Sequence, residues 1–293
     1  MSTDPLPKGM MQINETSFVH EVVPVMSDFD SSGYRRGPEH RFGEIISFAD
    51  VRKRYDFRSI EVGRWVTRDE NERAAARFYD ALGDLMVILN GPEALISLRG
   101  TLAFQYGIGG RPGVAAHYTP ATRCFSLAKN AGPGSIAHEW FHALDHYLAD
   151  KCFGDAPKGM FASKGWLHDA TPVPHPLNDC LFACFKAIML DPSGEGPSEL
   201  CRASMAMDRQ LNGLYYSLPE EMCARAFEAF VQDQPIRNHF LVKGTRSSKE
   251  ARLGLFPQGE QRRQINCAFR AYFDRLGAAL RRVADNGSAI ANT

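Results

Sequence analysis

Ser135-Ile-Ala-His138-Glu139-Trp-Phe-His142-Ala-Leu-Asp145-His146-Tyr147 is the stretch on which the reading of this chain turns. It holds H-E-x-x-H inside an apolar pattern at helical spacing, with Ile136, Ala137, Trp140, Phe141, Leu144 and Leu148 making a broad face. On a helix, His138 and His142 lie one above the other. Two neutral imidazoles so placed can both reach one Zn²⁺ at about 2.0–2.1 Å. Glu139 points to the adjacent face, where a carboxylate can take a proton from a metal-bound water. The bare pattern also arises by chance, so its surroundings decide its weight. A helix this apolar is expected to be buried, and burying His138, Glu139, His142 and Asp145 is costly unless something satisfies them. A metal ion would. Asp145 shares the face of the two histidines and is expected to accept the spare ring N–H of a ligand His, its plainer alternative being a partner for a Lys or Arg. The expected activity is that of a zinc-dependent hydrolase, above all a peptidase.

Two histidines do not complete a catalytic zinc site, which needs three protein ligands and a water. A third His in the pattern H-E-x-x-H-x-x-G-x-x-H is excluded, because Asp145 stands at the Gly position and Leu148 at the last His. His146 would stack one turn beyond His142 and leave Glu139 badly placed. The remaining source is Tyr215-Tyr216-Ser217-Leu218-Pro219-Glu220-Glu221-Met222-Cys223-Ala224-Arg225-Ala226-Phe227-Glu228. Ser217 and Glu220 have capping-box spacing and Pro219 suits a first helical turn, so Glu220 has a structural task. Glu221 has none and shares a face with Arg225 and Glu228. Glu221 is therefore the expected third ligand, Glu228 the reserve or an outer acid, and Arg225 a partner for either. The plainer alternative is a surface face of Glu/Arg pairs.

Around these two segments the chain reads as α+β. The capping box Thr67-Arg-Asp-Glu70 predicts a long helix to about Leu89, stopped by Asn90-Gly91-Pro92. Ser47 predicts a cap for a short helix at 48–54, and Ile60, Val62 and Val66 alternate as in a strand. Ala94–Leu98 reads as a strand or short helix. Gly100–Gly113 reads as a turn or flap; it lacks the spacing of a nucleotide loop. Val114–Tyr118 and Arg123–Ala128 predict a hairpin whose edge could hold an extended peptide by main-chain hydrogen bonds, with His117 and Tyr118 as candidate substrate contacts. A long Gly/Pro-rich loop over 153–176 has the length of a lid. Helices are expected over 178–190, 198–211 and 260–282. Residues 1–40 read as a flexible arm, 41–283 as the domain and 284–293 as a disordered tail.

The bulk properties exclude several classes. The chain has 293 residues, 44% hydrophobic content and zero formal net charge. That allows a substantial core and gives no general electrostatic case for nucleic acid or anionic membrane. No stretch reads as membrane-spanning, and the polar N-terminus with Pro5 and Pro7 is not a secretory signal. The 7 cysteines are scattered, with Cys180 and Cys184 on one apolar face as core residues; this predicts reduced thiols in a cytoplasmic protein.

His138-Glu-Trp-Phe-His142-Ala-Leu-Asp145 followed by Glu221-Met-Cys-Ala-Arg-Ala-Phe-Glu228 resembles the zincin-like domain known as the first type of large polyvalent protein-associated domain, found in proteins of phages and conjugative elements. Phe57-Arg-Ser-Ile-Glu61-Val-Gly-Arg-Trp65-Val, Leu98-Arg-Gly-Thr-Leu, Ala116-His117-Tyr118-Thr-Pro120 and Leu127-Ala-Lys129-Asn-Ala-Gly add to the likeness, which runs from about Gly37 to Arg282. As a stand-alone chain it is similar to the bacterial CLCA-X family. More distantly, H-E-x-x-H-x-x-D with E-x-x-A is similar to the Mlc titration factor peptidases and the anthrax lethal factor catalytic domain. These resemblances imply a zincin-like α+β fold: a small, mostly antiparallel sheet packed on the H-E-x-x-H helix, and a helix-rich C-terminal half. They imply one Zn²⁺ on His138, His142 and Glu221, Glu139 as general base, and an oxyanion-stabilising Tyr, matched here by Tyr216 or Tyr215. The alternative function is a non-catalytic zincin-fold interaction protein linked to mobile elements, with zinc structural or absent. A third, a nucleic-acid partner using Arg35, Arg36, Arg41, Arg262, Arg263, Arg281 and Arg282, is disfavoured by the neutral charge.

Overall fold

A computed structural model describes residues 34–108, 116–129, 134–168 and 170–291, with side chains to Asp285. The elements in chain order are β1 (Arg35–Arg36), α1 (Phe48–Tyr55), β2 (Ser59–Val62), α2 (Arg68–Ile88), α3 (Glu93–Ile96), β3 (Ala103–Tyr106), β4 (Ala116–Thr119), β5 (Cys124–Leu127), α4 (Ser135–Cys152), α5 (Ala162–Leu167), α6 (Pro176–Met189), α7 (Glu199–Leu211), α8 (Pro219–Gln232), β6 (Arg237–Asn238), α9 (Lys249–Arg252) and α10 (Gly259–Ala291). The class is α+β, as expected.

Local chemistry places many of these boundaries. Thr67 and Glu70 form the reciprocal capping box that starts α2, and Ser47 with Asp50 does the same for α1. Ser198 caps α7 by accepting from Cys201 N. Two boundaries differ by tertiary demand. The N-cap of α4 is Gly134, not Ser135, with φ at +108° and an added Cβ only 3.0 Å from Lys243 N. Only Gly enters that conformation freely. The expected Ser217–Glu220 box does not form. Ser217 is taken by Asp208, and α8 starts after Leu218 with no side-chain cap.

The principal sheet has the order β2-β3-β5-β4. It is mixed, not mostly antiparallel: β2–β3 and β3–β5 are parallel, and only β4–β5 is antiparallel. The reason is the crossover. Helices α2 and α3 lie between β2 and β3 and return the chain to the starting side of the sheet. The predicted hairpin is present, with His117 opposite Ser126 and Tyr118 opposite Phe125, and it leaves β4 at the sheet edge. Strand β3 lies within the segment expected to be a turn or flap. β1 and β6 pair separately, Arg35 with Asn238.

Part of the expected arm is ordered. Arg35 and His40 bond the fully buried Asp84 at 2.6 and 2.9 Å, and Asn238 adds a third donor. The other readings within 1–33 lie outside the described residues. At the far end, α10 continues to Ala291, beyond the 282 that periodicity predicted. The core joins the sheet to α2 and α4, then α4 to α8 and α10. Phe78, Phe104 and Phe125 pack on one side, and Trp140, Phe141, Phe227, Phe269 and Phe273 on the other. Trp140 is fully buried and its indole N–H donates to Ile96 O at 2.9 Å, which pins α4 to α3.

Candidate metal centre

Helices α4 and α8 cross with their apolar faces together, and the polar residues left on those faces meet at one place. His138 Nε2 and His142 Nε2 stand 3.0 Å apart. Glu221 Oε2 lies 3.3 Å from His138 Nε2, and Glu221 Oε1 lies 3.4 Å from His142 Nε2. The three ligating atoms fall within 4.8 Å of one another. His142, Glu221 and Glu139 are all buried. Two ring nitrogens and a carboxylate pointing at a common centre form a donor set with no counter-charge of its own. Glu221 Oε2 is buried without a hydrogen bond. Such an orphan is what a cation would satisfy.

The electrostatics couple these side chains closely. Burial pulls the His138 imidazole down, but the nearby carboxylates of Glu221 and Glu228 prevail and hold it up at about 10. Burial pushes Glu221 up, yet His138 and His142 hold it well below the ordinary carboxylate range. Burial raises Glu139, opposed by the charges of His138 and His142.

Glu228 takes the orienting role expected of Asp145. Its Oε1 meets His138 Nδ1 at 2.7 Å. That bond fixes the ring and turns Nε2 toward the cluster. Asp145 is committed elsewhere: Ser163 N donates to its Oδ1 at 2.8 Å and Ser163 Oγ to its Oδ2 at 2.5 Å. Burial still pushes its carboxyl up to about 6. Ser163 belongs to α5, so the 153–176 segment carries a helix tied to the metal-type helix. Phe161, just before α5, packs on the His142 and His146 rings at 5.8 and 5.9 Å.

Arg225 pairs with neither Glu. Buried, it donates from Nε to Leu255 O at 2.7 Å and from Nη2 to Ser204 Oγ and Tyr216 O at 3.0 and 2.6 Å. It thereby fastens the 212–218 loop. Asp208 fastens the same loop from the other side, accepting from the backbone N–H groups of Tyr215, Tyr216 and Ser217 at 2.8–3.1 Å. The loop turns Tyr215, not Tyr216, to the cluster. Tyr215 is half exposed; the partial burial of its hydroxyl and the adjacent Glu221 carboxylate raise that hydroxyl above its ordinary value, whereas the Tyr216 ring lies against Arg225. Of the two candidate tyrosines, Tyr215 is the one whose hydroxyl the Glu221 carboxylate acts on.

His117 and Tyr118 are half-buried on β4, beside α4. His117 contributes to the field on Glu139. The Tyr118 hydroxyl meets His146 Nδ1 at 2.7 Å, which accounts for His146 outside the cluster. Several cations of the supposed basic patch are spent internally: Arg41 on Asp80, Arg262 on Asp233 and Arg263 on Glu260. Sequence reasoning missed Ser163 and Asp208. Their partners are brought together only by the packing of separate helices.

No described helix is long and apolar enough to cross a membrane. No curated protein and no solved structure matches the chain. Residues 207–280 match the family model for large polyvalent protein-associated domain 1, a stretch that includes Tyr215, Glu221, Arg225 and Glu228 and begins after the H-E-x-x-H helix.

Proposed function

We propose that the protein is a zinc-dependent peptidase with His138, His142 and Glu221 as metal ligands. The observation that carries this reading is the convergence of two imidazole Nε2 atoms and one carboxylate, with Glu139 beside them and Glu228 on the outer nitrogen of His138. Zinc bound there would lower the pKa of a water toward about 7 and polarise a substrate carbonyl. Glu139 would take the proton from that water and deliver it to the leaving amine. Tyr215 would place a hydroxyl at the developing oxyanion. The edge of β4, unpaired among the described residues, would align an extended peptide along α4 by main-chain hydrogen bonds, with His117 and Tyr118 flanking it.

The test is zinc content beside peptidase activity. Wild type is expected to hold one equivalent of zinc and to cut an unstructured protein substrate. Glu139→Gln is expected to keep the zinc and lose cleavage by at least about a hundredfold. Full cleavage in that variant would overturn the mechanism. A wild type that takes up no zinc would leave a non-catalytic interaction protein.

A further inference from the structure

A second cleft shares no residue with the metal-type cluster. It opens where the parallel strands end. Tyr106 closes β3, Leu127 closes β5, and Trp65 stands three residues beyond β2. The crevice outside the carboxyl ends of parallel strands is the place where sheets of this kind most readily bind ligands. The backbone there is drawn tight. A Cβ on Gly63 would come within 2.2 Å of Gly107 O, so the backbone just past β2 and β3 closes together with no side chain between.

The cleft is cationic and aromatic together. Arg73 and Arg77 stand one turn apart on the exposed face of α2, and Lys129 faces them from the end of β5. Glu70 is the only acid lining the cleft among the described residues. It is occupied twice, by Lys129 at 2.8 Å and by the Thr67 cap. Arg73 forms no ion pair among the described residues. The Arg77 guanidinium lies over the Tyr34 ring at 5.3 Å, which steadies it without neutralising it. The net lining charge is positive. At the rim, Trp65 is 63% exposed, unusual for an indole on a protein surface. The floor is apolar, from Leu127 and Phe240. The Tyr106 hydroxyl makes no hydrogen bond among the described residues; burial and the Glu70 charge raise it, opposed by Lys129, Arg77 and Arg73.

We propose that this cleft binds a nucleoside phosphate. Its volume of about 540 Å³ exceeds what a bare phosphate would fill and lies within the range of small-ligand sites. Arg73 and Arg77 match a phosphate by forked, charge-assisted hydrogen bonds. The Lys129 ammonium lies over the Trp65 ring at 5.5 Å, and the rest of this 63% exposed indole is the surface on which a base stacks. The apolar floor takes the ribose edge and the Tyr106 hydroxyl supplies a polar contact.

The experiment is calorimetric titration of the full-length protein with AMP, adenosine and inorganic phosphate in turn. AMP is expected to bind saturably, and adenosine and phosphate each at least about tenfold more weakly. Arg73→Ala with Arg77→Ala, both on an exposed face, is expected to weaken AMP by about tenfold or more. Trp65→Leu is expected to do likewise. Unchanged thermal unfolding of both variants shows that the loss is at the cleft. Absence of saturable AMP binding overturns the proposal. Phosphate binding equal to AMP, with Trp65→Leu silent, reduces the site to an anion patch and also overturns it. Adenosine equal to AMP, with the arginine variant silent, overturns the phosphate role. None of these outcomes depends on zinc or peptidase activity.

Discussion

Glu228 shows how one bond can decide a ligand's use. His138 has two ring nitrogens, and the carboxylate at 2.7 Å from Nδ1 selects Nε2 for the cluster. The sequence left Glu221 and Glu228 as rival ligands, since both lie on one face of α8. The structure separates them, with Glu221 among the converging atoms and Glu228 behind the imidazole. Removing Glu228 should therefore loosen the ring and leave the ligand set complete. Zinc affinity of Glu228→Ala, measured by competition with a chelator, is expected to fall about 10–100-fold. Glu221→Ala should retain no stoichiometric zinc. Equal loss in both variants would mean that Glu228 itself ligates. Asp145 had the better claim on sequence, being near His142 on the same helix. It was diverted by Ser163, whose backbone N–H and hydroxyl both reach it.

Among the elements, the 212–218 loop between α7 and α8 carries the most consequence for the site. It is only a few residues long, yet it decides which tyrosine faces Glu221. Asp208 receives three backbone N–H groups and the Ser217 hydroxyl, and Arg225 holds Tyr216 O from below. Asp208→Asn keeps the size but removes an acceptor and the charge. It is expected to lower stability by about 1–3 kcal/mol in urea denaturation and to reduce turnover more than it raises KM, because Tyr215 is displaced from the cluster. A normal turnover number in a destabilised variant would show the loop to be scaffold only. The capping boxes of α1 and α2 need no such support. Their partners are three residues apart, so the helix geometry alone brings them together.

Across the whole molecule, long-range ion pairs tie the C-terminal helices. Asp233, at the end of α8, binds Arg262 of α10 at 2.7 Å, Arg246 at 2.7 Å and Asn266 at 2.9 Å. Burial would raise its carboxyl, but these partners hold it at about 2, below the ordinary 3.8. A depressed carboxylate stabilises the fold above its unfolded pKa, and the contribution fades as pH falls through the folded value. The stability of wild type should therefore lose about 1–2 kcal/mol between pH 4 and 2 from this group, a range reduced for its partial solvent access. Asp233→Asn should flatten that part of the profile. An unchanged slope in the variant would assign the acid loss to other groups.

What was legible in the chain follows from range. H-E-x-x-H, the box at Thr67 and Glu70, the cap at Ser47 and the apolar stripes of α2, α4 and α10 are set by residues within a turn or two of each other. Local geometry alone places them, and the sequence by itself determined these helices and the pairing of His138 with His142. The parallel pairing of β2, β3 and β5 was not legible, because strands of four residues carry no mark of direction and the intervening helices choose it. Nor were the roles of Glu228, Asp145, Ser163, Asp208 and Tyr215. Each depends on a contact between helices or loops brought together by burial of their apolar faces. A buried carboxylate takes whichever donor that packing delivers, and the packing is a property of the whole chain, so only the tertiary structure decided them.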